Sequence, residues 1–355
     1  MAKSNKKQPF ICLSPLAIPR NLWYPFLAAK KGYSPSVDRP ATSGPPSEKE
    51  DLQGTMSGME TRAAQRQTEV DSTGRERLPA PVVLTIAGFD PSSGAGIAAD
   101  MKVFWNHGLY GTSAITALTV QSTRGVEGVQ PVSGRLLGRT LDCLAADLPL
   151  AGVKIGMLGS AEVVSEIAAF LGRVGIDRRR IVLDPVIRSS SGAELLEPGG
   201  VRLLMTELLP RVGWITPNVE ELAALTGQTV PDRAAVPAQA RFVQESARAE
   251  SGAGPDGGAG PDGGSGLNVV VTGGHLEPPD DFLLTAEGEE RWFPGRRIQT
   301  TSTHGTGCAF SSALLCRLVL GDGPVEAVAG AKAWVAHALE TAIPIGKGRG
   351  PVLSP

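Results

Sequence analysis

The chain has 355 residues, 41% apolar and 20% charged, with a formal net charge of -2. This is ordinary globular composition with enough apolar content for a large core, and it lacks the basic excess of a protein that coats nucleic acid or anionic lipid. No apolar run reaches the roughly 18 residues of a transmembrane helix, and Cys12, Cys143, Cys308 and Cys316 are spaced neither as a zinc pair nor as a disulfide framework. The expectation is a cytoplasmic protein in a reducing compartment, with no nucleic-acid or membrane partner.

Residues 1–79 are rich in Pro, Ser, Lys, Glu and Gln and lack periodicity. Such a segment buries too little apolar surface to offset its ordering entropy, so a disordered extension is expected, with Met56 or Met59 as an alternative start. Folding signals begin near residue 80. The run VVLTIA at Val82–Ala87 reads as a strand covered on both faces. A Gly- and Ser-rich loop follows, then a helix from Ile97 to Trp105. Further strands are expected at Thr112–Val120, Gly152–Leu158, Ile181–Val186, Trp214–Asn218 and Asn268–Gly274. Helices are expected at Arg135–Asp147, Ala161–Val174, Gly199–Leu209, Val219–Leu225 and Ala234–Glu250. This alternation predicts one mostly parallel sheet with helices on both faces.

Two segments depart from the rhythm. Residues 252–266 contain GAGPDGG twice and read as a flexible surface insert, whereas residues 281–298 read as a small β-meander. Two helices close the chain, Gly307–Leu320 and Pro324–Thr341. In the second, Val325, Val328, Val335 and Leu339 share a face.

Gly94-Ala95-Gly96-Ile97-Ala98-Ala99 imitates the dinucleotide fingerprint. The loop before it is too long, however, and the next strand ends in Gln121 where a ribose-binding enzyme places an acid. A dehydrogenase is therefore set aside. What survives is a glycine loop at a strand's carboxyl end, where open α/β sheets bind ligands.

The strongest local signal is His304-Gly305-Thr306-Gly307-Cys308-Ala309 at the start of a helix. Its amides and the helix dipole suit the charge of a transferring phosphoryl group. Cys308, in the first turn, is expected to have a lowered pKa and to act as the base that deprotonates a substrate hydroxyl. The alternative for an isolated cysteine is a buried small hydrophobe, and Cys143 and Cys316 keep that reading.

Seven motifs occur in order: TIAGFDPSSGAGIAADMK, ITALTVQSTRGV, KIGMLGS, VLDPVI, ITPNVEE, TGGH and STHGTGCAFSSAL. Together they resemble the hydroxymethylpyrimidine/phosphomethylpyrimidine kinases of the ribokinase superfamily, from about Pro81 to Val352. The resemblance implies a three-layer α/β/α fold in one kinase domain, residues 80–355, interrupted by the insert at 252–266. It implies ATP and Mg2+ as cofactors, a small pyrimidine as substrate, and a homodimer. Within it, Cys308 looks like the catalytic base, and Gly305 and Gly307 look like the anion-hole backbone. Gln121 resembles the pyrimidine-binding glutamine; its amide sets a donor beside an acceptor, as an aminopyrimidine edge requires. A strand-end residue capping its loop is the plainer alternative.

Asp100 resembles a carboxylate that binds the substrate hydroxymethyl group. Gly88 and Ala95 resemble backbone contacts around the ring, and Met157 either packs on that ring or is simple core. Asn218 and Glu221 match the superfamily's N-x-x-E motif, which holds hydrated Mg2+ against nucleotide phosphates. The same spacing also makes a helix capping box. Thr272, in the nucleotide-binding position, stands where many relatives carry Lys, which removes one phosphate contact. Pyridoxal kinases of the same superfamily are the nearest alternative, and a silent pyrimidine-binding regulatory domain is a more distant one. Walker and protein-kinase motifs are missing.

Overall fold

The computed structural model describes residues 80–189, 192–250 and 266–353, with the backbone of two short strands before them. Most of the extension 1–79 and nearly all of the insert 252–266 lie outside the described residues. So do the expectations attached to them. Within 1–79, β1 (Glu69–Val70) and β2 (Glu76–Arg77) form an antiparallel pair where no structure was expected.

The elements then run β3 (Val82–Phe89), α1 (Gly96–Asn106), β4 (Tyr110–Ser122), β5 (Gly125–Pro131), α2 (Gly134–Asp147) and β6 (Leu150–Ile155). Next come α3 (Ala161–Arg173), β7 (Ile181–Leu183), α4 (Pro198–Leu203), β8 (Trp214–Ile215), α5 (Val219–Thr226) and α6 (Val236–Glu250). The chain continues with β9 (Asn268–Val271), β10 (Asp281–Leu284), β11 (Glu290–Phe293), α7 (Thr306–Val319) and α8 (Pro324–Thr341). Nine strands form one sheet in the order β11-β10-β9-β8-β7-β6-β3-β4-β5. The six from β9 to β4 are parallel, while at the edges β5 pairs antiparallel with β4, β10 with β9 and β11 with β10.

The layers follow from alternation along buried strands. Leu84 and Ile86 face the core built with α2, α3, α5 and α6, whereas Val83 faces the core built with α1, α7 and α8. Strands buried on both faces become continuous apolar runs, which is why β3 and β9 were legible. The edge strand β5 was not anticipated; its residues are mostly half-exposed and lack an apolar run. The expected helix Gly199–Leu209 is also different. After α4 the chain makes a wide turn at Leu204–Leu208 and a tight one at Leu209–Arg211. Leu204, Leu208 and Leu209 are all fully buried, so tertiary packing outweighs regular helix spacing there.

The placement of β3 between β4 and β6 is the feature that positions the site. The chain leaves β3 through α1 on one face and leaves β6 through α3 on the other, opening a crevice at their carboxyl ends.

Candidate active site

Gly88 is the last-but-one residue of β3 and Met157 follows β6, so both sit at that crevice. A Cβ at Gly88 would lie 2.8 Å from Met157 Sδ. Met157 packs with Ala117 and Leu195 in a small cluster apart from the two main cores. After β3 the chain turns through Asp90, whose carboxylate accepts from the amides of Ser92 (2.8 Å), Gly94 (3.2 Å) and Ala95 (2.9 Å). The Ala95 amide is thus already engaged within the protein. Gly96 opens α1 with φ +58, and a Cβ there would meet Gly88 O at 2.2 Å.

The second glycine loop lies against the first. Gly305, the N-cap of α7, has φ +82, and a Cβ on it would come within 1.8 Å of Gly94 O. Two independent constraints, handedness and contact, therefore require glycine at this position. The first backbone bond of α7 runs from Ala309 N–H to Gly305 O, 2.8 Å. The amides of Thr306, Gly307 and Cys308 precede it and have no partner inside the helix. They open beside Asp184, since a Cβ at Gly307 would stand 3.9 Å from Asp184 Oδ2.

Cys308 is half-buried as a residue, but its sulfur is desolvated and accepts a hydrogen bond from the Gly96 amide. The expected lowering of its pKa does not occur. Burial pushes the thiol up to about 12; Lys154 opposes that rise, and the Asp184 and Asp100 carboxylates add to it. The helix N-terminus is outweighed by loss of water. Cys308 nevertheless stands among charged groups, not among aliphatic side chains. Cys316 is fully buried as expected, whereas Cys143 lies on the exposed side of α2 and is no core hydrophobe.

Asp100 requires a correction. It is 0% exposed, and its carboxylate accepts from Thr85 Oγ1 at 2.6 Å, Lys154 Nζ at 3.0 Å and Ser312 Oγ at 2.8 Å. Three buried donors from β3, β6 and α7 hold it, so it braces the floor of the site and is not the free carboxylate that the resemblance suggested. Lys154 is equally buried, and its pKa is raised: desolvation works against the charge, but Asp100, Cys308 and Asp184 outweigh it. Sequence reading missed Lys154, although a lysine between Val153 and Ile155 in a buried strand was a usable signal.

The third group lies at the ends of β8 and β9. Asn218 caps α5, and Glu221 completes the box: Glu221 N–H donates to Asn218 Oδ1 and Asn218 N–H to Glu221 Oε2, each 2.9 Å. Thr272 bridges to Asn218, and its amide donates to Pro217 O at 2.9 Å. Glu221 is driven well above the ordinary carboxylate range by burial and by the repulsion of Asp184. Asp184, left unassigned from sequence, is raised by burial even though Lys154 and the Ser311 hydroxyl at 3.1 Å favour its charge. Two buried carboxylates, one raising the other, offer oxygens suited to a hard divalent cation, and the open amides beside them suit anionic oxygen.

Gln121 ends up near the glycine loop through His304, its Nε2 being 3.1 Å from His304 Nε2. Both side chains line a cleft of about 480 Å³ with Arg124, Ser189 and Arg349. His304 also pairs with Asp90 at 2.8 Å. Burial opposes charge on Asp90, but bonds from His304 and Ser92 overcome it and hold its pKa below the usual value. From sequence, His304 was read only as part of its glycine loop, and Asp90 was not singled out. An Asp followed by Pro-Ser-Ser-Gly signals a local turn, not a contact with a loop 214 residues away.

The sequence profile of the family described as Phosphomethylpyrimidine kinase matches residues 90–252 and 262–353. The Hydroxymethylpyrimidine/phosphomethylpyrimidine kinase of Rhizobium meliloti is 39% identical over 275 residues, covering 76% of this chain and 96% of that protein. The Thiamine biosynthesis bifunctional protein ThiED of Geobacter sulfurreducens is 39% identical, and the matched region covers 80% of this chain and only 55% of that longer protein. Among solved structures, phosphomethylpyrimidine kinase from Clostridium difficile superposes with a TM-score of 0.60 at 31% identity, covering 73% of this chain and 99% of the other. Pyridoxal kinase from Staphylococcus aureus, in complex with ADP, gives 0.64 at 26% identity, covering 77% and 92%. The α/β fold, the two facing glycine loops and the profile match agree, and the chain belongs to the phosphomethylpyrimidine kinase family.

Proposed function

We propose that residues 80–355 form one kinase domain that transfers the γ-phosphoryl group of ATP to the hydroxymethyl oxygen of 4-amino-5-hydroxymethyl-2-methylpyrimidine. A second transfer, onto the monophosphate so formed, yields the pyrophosphate used to make thiamine diphosphate. The observation that carries this reading is the junction of two glycine loops. Gly305 abuts Gly94, and the Cys308 sulfur takes the Gly96 amide, so the open end of α7 faces the residues around Gln121.

In the proposed reaction, the substrate ring packs against Met157 beside Gly88, and the Gln121 amide binds its amino edge. The hydroxymethyl oxygen attacks the γ-phosphorus, the bond to the bridging oxygen breaks, and ADP leaves. The hydroxyl proton passes to Cys308 Sγ, while the Thr306–Cys308 amides stabilise the transferring charge. The resting protein holds Cys308 as a thiol, so the thiol proton must first pass to solvent before Sγ can accept the hydroxyl proton; Lys154 is the chain's own group that favours the thiolate. Asp184 and Glu221, with Asn218 and Thr272 alongside, would hold Mg2+ and the nucleotide phosphates. When bound, the ion would neutralise phosphate charge. We further propose that the protein acts in the cytoplasm; none of the described helices is long and apolar enough to cross a membrane.

Product analysis with ATP and the free pyrimidine alcohol tests this reading. One or two added phosphates are expected, and no phosphorylated pyrimidine would overturn it. Pyridoxal, assayed in parallel, must be the poorer substrate; a strong preference for it would move the chain to the second reading.

A further inference from the structure

At the wall between the cleft and the second glycine loop, His304 Nε2 lies 2.8 Å from Asp90 Oδ2 and 3.1 Å from Gln121 Nε2. On the far side of the same amide, Gln121 Oε1 is 3.2 Å from Thr119 Oγ1, which also donates to Phe89 O at 3.0 Å. A ring nitrogen has either one hydrogen or one lone pair to offer, and a hydroxyl has one hydrogen. Were His304 Nε2 bare, it would accept from Gln121 but set its lone pair against the Asp90 carboxylate. With the hydrogen on Nε2, the bond to Asp90 forms, and the amide atom beside it must then be an acceptor. Thr119 fits the matching order: with its hydrogen on Phe89 O, the shorter of its two contacts, the amide atom beside it must donate. A half-turn of the amide meets both conditions together, with oxygen toward His304 and nitrogen toward Thr119. The two orientations have nearly the same shape, so hydrogen bonding selects between them.

The geometry points to the Asp90–His304 pair as the device that fixes which end of the Gln121 amide accepts and which donates. This makes His304 a positioning residue, and it rests on the reading of Gln121 as the substrate-binding amide. The pair is itself held firmly. Asp90 is anchored by Ser92, Gly94 and Ala95. The His304 ring is wedged where a Cβ on Gly94 would fall 2.2 Å from its Cδ2. The His304 backbone is tied on both sides, its amide to Gly350 O (3.0 Å) and its carbonyl to the Val352 amide (3.0 Å).

A fixed amide order has a chemical consequence. A 4-aminopyrimidine presents a donor beside an acceptor, and its 4-oxo analogue presents the reverse. The ring cannot turn over to compensate, because its hydroxymethyl group must stay at the phosphoryl site. His304 therefore sets the discrimination between amino and oxo substrates without touching either.

Initial rates with the 4-amino compound and its 4-oxo analogue test this in wild type, Gln121→Leu and His304→Phe. Wild type should favour the amino compound by about a hundredfold or more in kcat/KM. His304→Phe, which fills the same space, should shrink that ratio by at least about tenfold, mainly through KM for the amino compound. If Gln121→Leu leaves the ratio intact, the substrate role of Gln121 fails and the inference with it. If Gln121→Leu collapses the ratio but His304→Phe does not, the positioning role alone is overturned. The 15N shift of His304 Nε2 in the wild-type protein decides independently of how any variant folds: a hydrogen-bearing, pyrrole-type nitrogen is expected, and a bare one defeats the inference.

Discussion

Cys308 illustrates how a residue's reactivity is set by more than its place on a helix. Its position at the start of α7 favours the thiolate, yet burial and two nearby carboxylates hold the thiol near 12. As the base, it should matter at the level of general catalysis: Cys308→Ser is expected to lower kcat by about 10²–10⁴-fold with KM little changed. An undiminished rate in that variant would remove the base role. The same shift affects stability. The folded protein keeps the proton that the unfolded chain releases from about pH 9, so this contribution is intact below pH 9 and declines as pH rises toward 12. Denaturant titrations of wild type and Cys308→Ala across that window should differ in slope, wild type falling more steeply.

Lys154 and Asp100 form an ion pair with both side chains at 0% exposure. Removing one partner leaves the other charge buried and unpaired, so Lys154→Met is expected to cost about 3–5 kcal/mol. Adding Asp100→Leu in the same chain should recover much of that loss. Equal destabilisation of the single and double variants, measured by urea unfolding, would contradict the pairing.

At the scale of elements, α5 does two jobs with one residue. Glu221 Oε2 completes the capping box at Asn218, while the side chain as a whole is repelled by Asp184. Glu221→Gln keeps an oxygen for the cap and removes the repulsion. The ligand-free variant should be as stable as wild type or more so, melting at the same or a higher temperature, yet gain no stabilisation from added MgCl2, unlike wild type. A Mg2+-dependent rise in Tm in the variant would exclude Glu221 as a ligand. The capping box and the N-x-x-E motif were both legible in sequence because each is local. The coupling of Glu221 to Asp184 was not, since it depends on β7 and β8 lying side by side.

At the scale of the whole molecule, the sheet order places the site. The family profile passes over residues 253–261, which lie between α6 and β9. Loop-closure entropy changes slowly with length, so deleting 253–261 should shift stability by less than about 1 kcal/mol. Phosphorylation kinetics should stay within about twofold of wild type by the same argument; a larger loss would mean that the insert reaches the site.

The buried strands, the helix starts, the two glycine loops and the family were all written in the sequence, because short-range periodicity and backbone-demanding residues act over a few positions. Tertiary structure alone decided that Asp100 is a buried brace for Lys154, that Cys308 rests as a thiol, and that His304 joins Asp90 to Gln121. Those outcomes depend on desolvation and on charges brought together across β3, β6, α1 and α7. Neither quantity is fixed until distant parts of the chain have packed.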